Sequence, residues 1–173
     1  MIKSVKELRD EKFAAVCTQS GIYKWWFRES AIDSLLKPLG NVNNKQLLHK
    51  KVKGEVFYAL YFGIANNCRE RAAWHIAQHH TPSSVKSGYL STLRRTLSAL
   101  LEKNMTKSES AVNKFMDENC YWEWEYTTNR EKALTIESSE LCKNYYPLNI
   151  QGNKVVPREI KRKLSQLRKK YQK

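Results

Sequence analysis

The sequence holds no apolar run near the roughly 20 residues that span a bilayer. Lys3, Lys6, Glu7, Arg9 and Asp10 also break up any leader-like stretch at its start. A soluble, intracellular protein without a membrane partner is therefore expected. Glycine and proline are scarce, six and four in 173 residues, so helices should dominate. The four cysteines, Cys17, Cys68, Cys120 and Cys142, include no C-x-x-C pair. That spacing excludes a zinc knuckle and a small disulfide scaffold. Internal repeats and low-complexity tracts are absent. Acidic residues are few, 17 against 31 Lys plus Arg.

What is present is a core and a strong positive field. Hydrophobic residues make up 41% of the chain, too many for a disordered one. The formal charge of +14 concentrates polyanions at the surface and speeds their encounter. Nucleic acid is the first partner this suggests. An anionic membrane comes second, and solubility alone is the bland alternative.

Elements can be placed from periodicity. Val5, Leu8, Phe13 and Val16 stand at loosely helical spacing. Residues 21–27 and 56–64 read as strands, and 120–126 alternates as a third. Ser30 caps a short helix that Pro38 and Gly40 end, and 41–53 reads as a polar, basic loop. Asn66 or Asn67 opens a helix to about His80. From Val85, the leucines Leu90, Leu93, Leu97, Leu100 and Leu101 share one helix face, leaving Arg94 and Arg95 off it. A shorter helix carries Val112, Phe115 and Met116. Asn129 opens another to about Tyr145, closed by Pro147. Ile160, Leu164, Leu167 and Tyr171 form a stripe that predicts a docked, basic C-terminal helix within 154–173. The layout is α+β, one domain over 1–173, with a three-stranded sheet and helices packed on it.

Three distant segments fit one chemical site. They are Gly21-Ile22-Tyr23, then Tyr61-Phe62-Gly63 with Arg69, Arg71 and His75, then Glu137 with Pro147 and Asn149. Arg71 and His75 lie four apart and share a helix face. An arginine suits phosphate because its planar fork donates two parallel hydrogen bonds. Glu137 lies beside apolar Ala133, Ile136 and Leu141, where an unpaired carboxylate is costly. A hard divalent metal would satisfy it, and so would a salt bridge to a nearby Lys or Arg.

These segments, in this order, resemble the signature of the GIY-YIG endonuclease superfamily over most of residues 20–150. Gly21-Ile-Tyr23 and Tyr61-Phe-Gly63 look like its two halves. Arg71 stands eight residues after Gly63, His75 four further on, and 133–137 with Lys143, Pro147 and Asn149 is similar to its metal-binding helix and closing Pro-x-Asn. The resemblance implies a small three-stranded antiparallel sheet flanked by helices, with a core of about 18–150. It also implies an Mg²⁺-dependent phosphodiesterase acting on DNA, with Mn²⁺ able to substitute. Glu137 would hold the metal, Arg71 would contact the scissile phosphate, and Tyr61 would orient or deprotonate water with Tyr23 nearby. A phenol is an awkward base, since its ordinary pKa is near 10, and His75 starts nearer 6.5 as the rival. Gly21, Gly63 and Asn149 would support the site. The sequence departs from the pattern in two ways: residues 28–54 intrude between the first two strands, and the second motif reads Tyr-Phe-Gly. Such insertions are found in compact, stand-alone restriction enzymes of the family.

Arg69, Arg94, Arg95, Lys161, Arg162, Lys163, Arg168, Lys169 and Lys170 are the expected nucleic-acid contacts, with Lys45, Lys50, Lys51 and Lys53 second. Trp25, Trp26, Trp122 and Trp124 read as core rather than as base-stacking platforms. Cutting both strands of a duplex calls for a homodimer or two successive events. A binding protein on the same fold, or an enzyme for RNA or for branched or damaged DNA, are the rival readings.

Overall fold

The computed structural model describes residues 1–172, so Lys173 of the basic tail lies outside the described residues. The elements run β1 (Ile2–Ser4), α1 (Val5–Asp10), β2 (Gly21–Arg28), α2 (Glu29–Leu36), β3 (His49–Val52) and β4 (Glu55–Ala65). There follow α3 (Cys68–Ala77), α4 (Pro82–Lys86), α5 (Thr92–Leu100), α6 (Glu109–Asn119), β5 (Cys120–Tyr126), α7 (Arg130–Lys143) and α8 (Arg158–Tyr171). The strands form one antiparallel sheet in the order β1-β5-β2-β4-β3.

The α+β architecture is as expected, and β5, β2 and β4 are the three foreseen strands. The sheet has five strands, however, not three. β1 is only three residues long and runs directly into a helix whose Ser4–Glu7 capping box dominates the local signal. β3 reads His-Lys-Lys-Val, with a single apolar residue, which is how exposed edge strands protect themselves from pairing further. Its hairpin to β4 turns on Lys53 and Gly54, both at positive φ (51° and 87°), as a two-residue turn of matching twist requires. The short helix foreseen within the 28–54 insertion is α2, whereas residues 49–52 of the loop expected over 41–53 form this edge strand. Lys50 holds the edge down, lying 4.5 Å from the Trp26 ring centroid and 2.5 Å from Glu123.

The sheet separates two hydrophobic layers. Tyr23, Trp25, Phe27, Leu60, Trp122 and Trp124 point to one side and join a large core with residues from α1, α2, α3, α5, α6 and α8. Trp26, Phe57, Ala59 and Phe62 point to the other, where Leu141 of α7 and Tyr146 cover them. The four strand tryptophans are all buried, so they are core. A β-bulge interrupts the β2–β4 register: Trp25 faces Tyr61 but Trp26 faces Ala59. Leu60 is the extra residue, so Leu60 and Tyr61 lie on the same side.

The helix expected from Val85 is two helices. Gly88 (φ 76°) breaks it, and Ser91 starts α5 afresh by accepting from the Arg94 amide. Val85, Leu90 and Met105 make a small separate cluster, and α5 is buried nearly all round among α3, α6 and α8.

Candidate active site

Both motif glycines sit where a side chain would collide. A Cβ on Gly63 would lie 2.5 Å from the Tyr23 hydroxyl, because Tyr23 faces Gly63 across the β2–β4 pair and lays its ring over it. A Cβ on Gly21 would meet the Glu125 carbonyl at 2.4 Å and the Cys68 sulfur at 2.7 Å. Gly21 thereby lets the start of α3 close onto the sheet.

Asn149 does its work on the backbone. Beyond β3 the outer edge of β4 has no strand partner. There the Asn149 side chain accepts from the Phe62 amide and donates to the Phe62 carbonyl, each at 2.8 Å. The Leu148 amide donates to the Leu60 carbonyl at 3.0 Å. The segment after α7 therefore clasps the strand edge at the bulge, and Glu137 of α7 lines a groove together with Tyr61.

A groove of about 490 Å³ opens there, lined by Tyr61, Thr92, Arg95, Glu137, Asn149 and Arg168 among others. Glu137 is half-buried, and burial alone raises its carboxyl above the usual range. Among the described residues it has no ion-pair partner, unlike Glu140 one turn on, which takes Lys24, Asn144 and Tyr146. The salt-bridge alternative for Glu137 is therefore not what the geometry gives. Three charges act on the Tyr61 hydroxyl: Arg168 and Arg71 favour its ionisation and Glu137 opposes it, while burial raises it most.

Behind Tyr61 runs a buried polar chain. The Tyr23 hydroxyl is 2.8 Å from His75 Nε2, and His75 Nδ1 is 2.6 Å from Ser91 Oγ. Burial, with Arg71 and Arg94 adding to it, keeps His75 well below the ordinary histidine range and so neutral. Burial and the nearby Tyr61 push Tyr23 far up. His75 is 1% exposed, with its two ring nitrogens engaged by Tyr23 and Ser91 rather than facing solvent water. Ser91 was not foreseen. Its only sequence signal is that of a helix cap, which it also is.

The remaining foreseen residues scatter. Arg71 stacks its guanidinium 4.6 Å from the Trp74 ring centroid, on the α3 side of Tyr61. Arg69 is exposed and donates to the Phe13 carbonyl, away from the groove. Arg94, expected to meet phosphate, is fully buried. Its guanidinium donates to His80 Nε2, to the His75 and Ile76 carbonyls and to Asn113, which closes the end of α3. It is therefore a structural residue; α6 covers the face that the leucine pattern left open. Lys161 donates to the Asn153 carbonyl and Lys163 pairs with Glu159 at 3.1 Å, whereas Arg162, Lys169 and Lys170 are exposed. Arg95 and Arg168 reach the groove.

A divalent metal fits this donor set only in one form. No group of three or more His, Cys, Asp or Glu could hold one among the described residues. The unpaired, partly desolvated Glu137 carboxylate would be its single protein ligand, with substrate oxygens and water completing the shell. Among the described residues no helix is long and apolar enough to cross a membrane.

Residues 21–170 match the family described as the GIY-YIG catalytic domain, a nuclease-type fold. No curated protein and no solved structure matches the chain.

Proposed function

The chain belongs to the GIY-YIG catalytic-domain family, and from that premise we propose that it is a divalent-metal-dependent endonuclease that hydrolyses phosphodiester bonds in DNA. The observation that carries this reading is an unpartnered Glu137 and Tyr61 in one groove, with Arg168 lining it and the Arg71 charge acting on the Tyr61 hydroxyl from outside it. A protein that only bound nucleic acid would gain nothing from a desolvated carboxylate beside the anion it must attract.

Glu137 would hold Mg²⁺, or Mn²⁺ in its place, and the ion would supply charge stabilisation on the leaving oxygen. Arg71 would contact the scissile phosphate and offset the charge that develops on it. Tyr61 would orient the attacking water and take its proton. The buried chain supports that role. If Ser91 donates to His75 Nδ1, then Nε2–H donates to Tyr23, which leaves the Tyr23 proton free for Tyr61. A phenolate at Tyr61 is stabilised by that donation and by Arg71 and Arg168. Double-stranded DNA is the proposed substrate and restriction or another defence against foreign DNA the proposed setting. A homodimer would cut both strands together.

Plasmid cleavage with Mg²⁺, with EDTA and with Glu137→Ala tests the reading. Fragments that disappear in both controls are expected. Intact plasmid with Mg²⁺, retarded on a gel, would replace the nuclease with a binder.

A further inference from the structure

Arg95 and Arg168 line the same groove as Tyr61 and Glu137. Arg168 belongs to α8 and Arg95 to α5, and the Arg95 charge acts on Arg168. Burial pulls the Arg168 guanidinium down to about 10, with Tyr61 opposing the fall and Arg95 adding to it. At neutral pH both remain cations. Among the described residues no carboxylate forms an ion pair with either, and the Arg95 Nε donor is buried without an acceptor. A desolvated cation acted on by a second one raises the free energy of the fold unless an anion joins them.

The arrangement is built rather than incidental. Arg168 Nε and Nη2 both donate to Thr96 Oγ1, which donates in turn to the Thr92 carbonyl one turn back on α5. That anchors one edge of the guanidinium to a rigid helix and leaves Nη1 without a protein acceptor among the described residues. Arg95 Nη2 rests on Gln172, itself tied to the Val85 carbonyl. The wall is thus fixed on α5 by one arginine and docked from α8 by the other. The groove runs on from Tyr61 past Arg168, Ser165 and Gln151. At about 490 Å³ it is far larger than one phosphate needs.

We propose that Arg168 and Arg95 bind the phosphate next to the scissile one, so that α8 completes the active site and the substrate must be a polynucleotide extending at least one linkage past the cut. This rests on the nuclease reading for the word scissile, but the clamp itself is a binding claim. Arg71 on α3 takes the reacting phosphate and Arg168 on α8 takes its neighbour.

Fluorescence anisotropy of a labelled DNA duplex in EDTA, where nothing is cut, tests the clamp directly. The Arg95→Gln/Arg168→Gln double variant should bind about tenfold to a hundredfold more weakly, and the slope of log K against log salt should flatten by about one phosphate's worth of counter-ions. Unchanged affinity and slope would overturn the clamp. A methylphosphonate at the linkage adjoining the cut keeps the test free of any folding defect in the variant. It should slow cleavage by the wild-type protein about as much as the double substitution does, and add little when both are combined. Fully additive losses would place the arginines elsewhere. If the protein binds through the pair yet cuts no DNA, the nuclease reading fails and the clamp stands. If it cuts DNA and binding ignores the pair, only the clamp fails.

Discussion

Two polar clusters meet at α5, and neighbouring residues of that helix lead into them. Arg94 enters a buried network in which His80, the His75 and Ile76 carbonyls and Asn113 accept its donors. Arg95 faces the groove, where its own Nε, the Glu137 carboxylate and part of Arg168 lack protein partners among the described residues. The first cluster is a closed account of hydrogen bonds and holds the fold. The second is open among the described residues, as the proposed phosphate and metal sites require. A completed network argues for structure and an incomplete one for function, although both are built from the same residue types.

Substituting Glu137 sharpens that contrast most. Glu137→Gln should lower the cleavage rate on the order of a thousandfold. Its thermal midpoint should hold or rise, because burial raises this carboxyl and its charge therefore costs the folded state at neutral pH. A fall in midpoint, seen by scanning calorimetry, would mean that the carboxylate has a structural partner after all. Arg94→Met should do the reverse. Losing the buried hydrogen bonds of Arg94 strands the acceptors that it fills and costs about 3–5 kcal/mol, read as a lower urea midpoint, while DNA affinity in the surviving folded protein stays near wild type. Loss of affinity without loss of stability would dissolve the distinction between the clusters.

Asn149 lies on the boundary. Asn149→Ala should cost roughly 2–4 kcal/mol, since it strands both backbone groups of Phe62, and activity should fall with it because the groove loses its edge. Equal activity at full stability would show that water can replace the amide. The smallest effect is one of pH. His75 and His80 both sit below the ordinary 6.5, mainly through burial. The unfolded chain takes up their protons first as pH falls, so their contribution to stability is intact above about 6.5 and is lost on acidification below it. The slope is at most about 1.4 kcal/mol per pH unit for each histidine. Urea midpoints at pH 7.5 and 5.5 should differ in the wild type and differ less in His80→Gln. A flat wild-type profile would mean that neither histidine is held neutral by the fold.

The sequence made the central strands legible because β2, β4 and β5 carry aromatic and β-branched residues at a period of two. It made α7 legible through its Asn129 cap, and the three motif segments through residue type and spacing. What escaped was set by partners distant in sequence. β3 looks like a loop because an edge strand avoids hydrophobic pattern. Arg94 looks solvated because its leucine stripe shows one covered face, and only the packing of α6 shows the second. Ser91 and Thr96 are ordinary helix residues until a histidine and an arginine from other helices arrive against them. The pairing of Arg168 with Tyr61 has no local signal, since a basic tail reads alike whether it covers solvent or completes a groove.

The Asn149 clasp also carries a consequence in time. The edge of β4 is finished by a residue close to ninety positions later in the chain, and Arg168 reaches Tyr61 across roughly a hundred. Contacts of such separation are the last to form, because the loop entropy must be met before they reward it. While the chain is being synthesised, β2 and β4 can pair, yet the groove has no floor and only one arginine. A groove assembled in this order stays incomplete until α8 has been made and has docked.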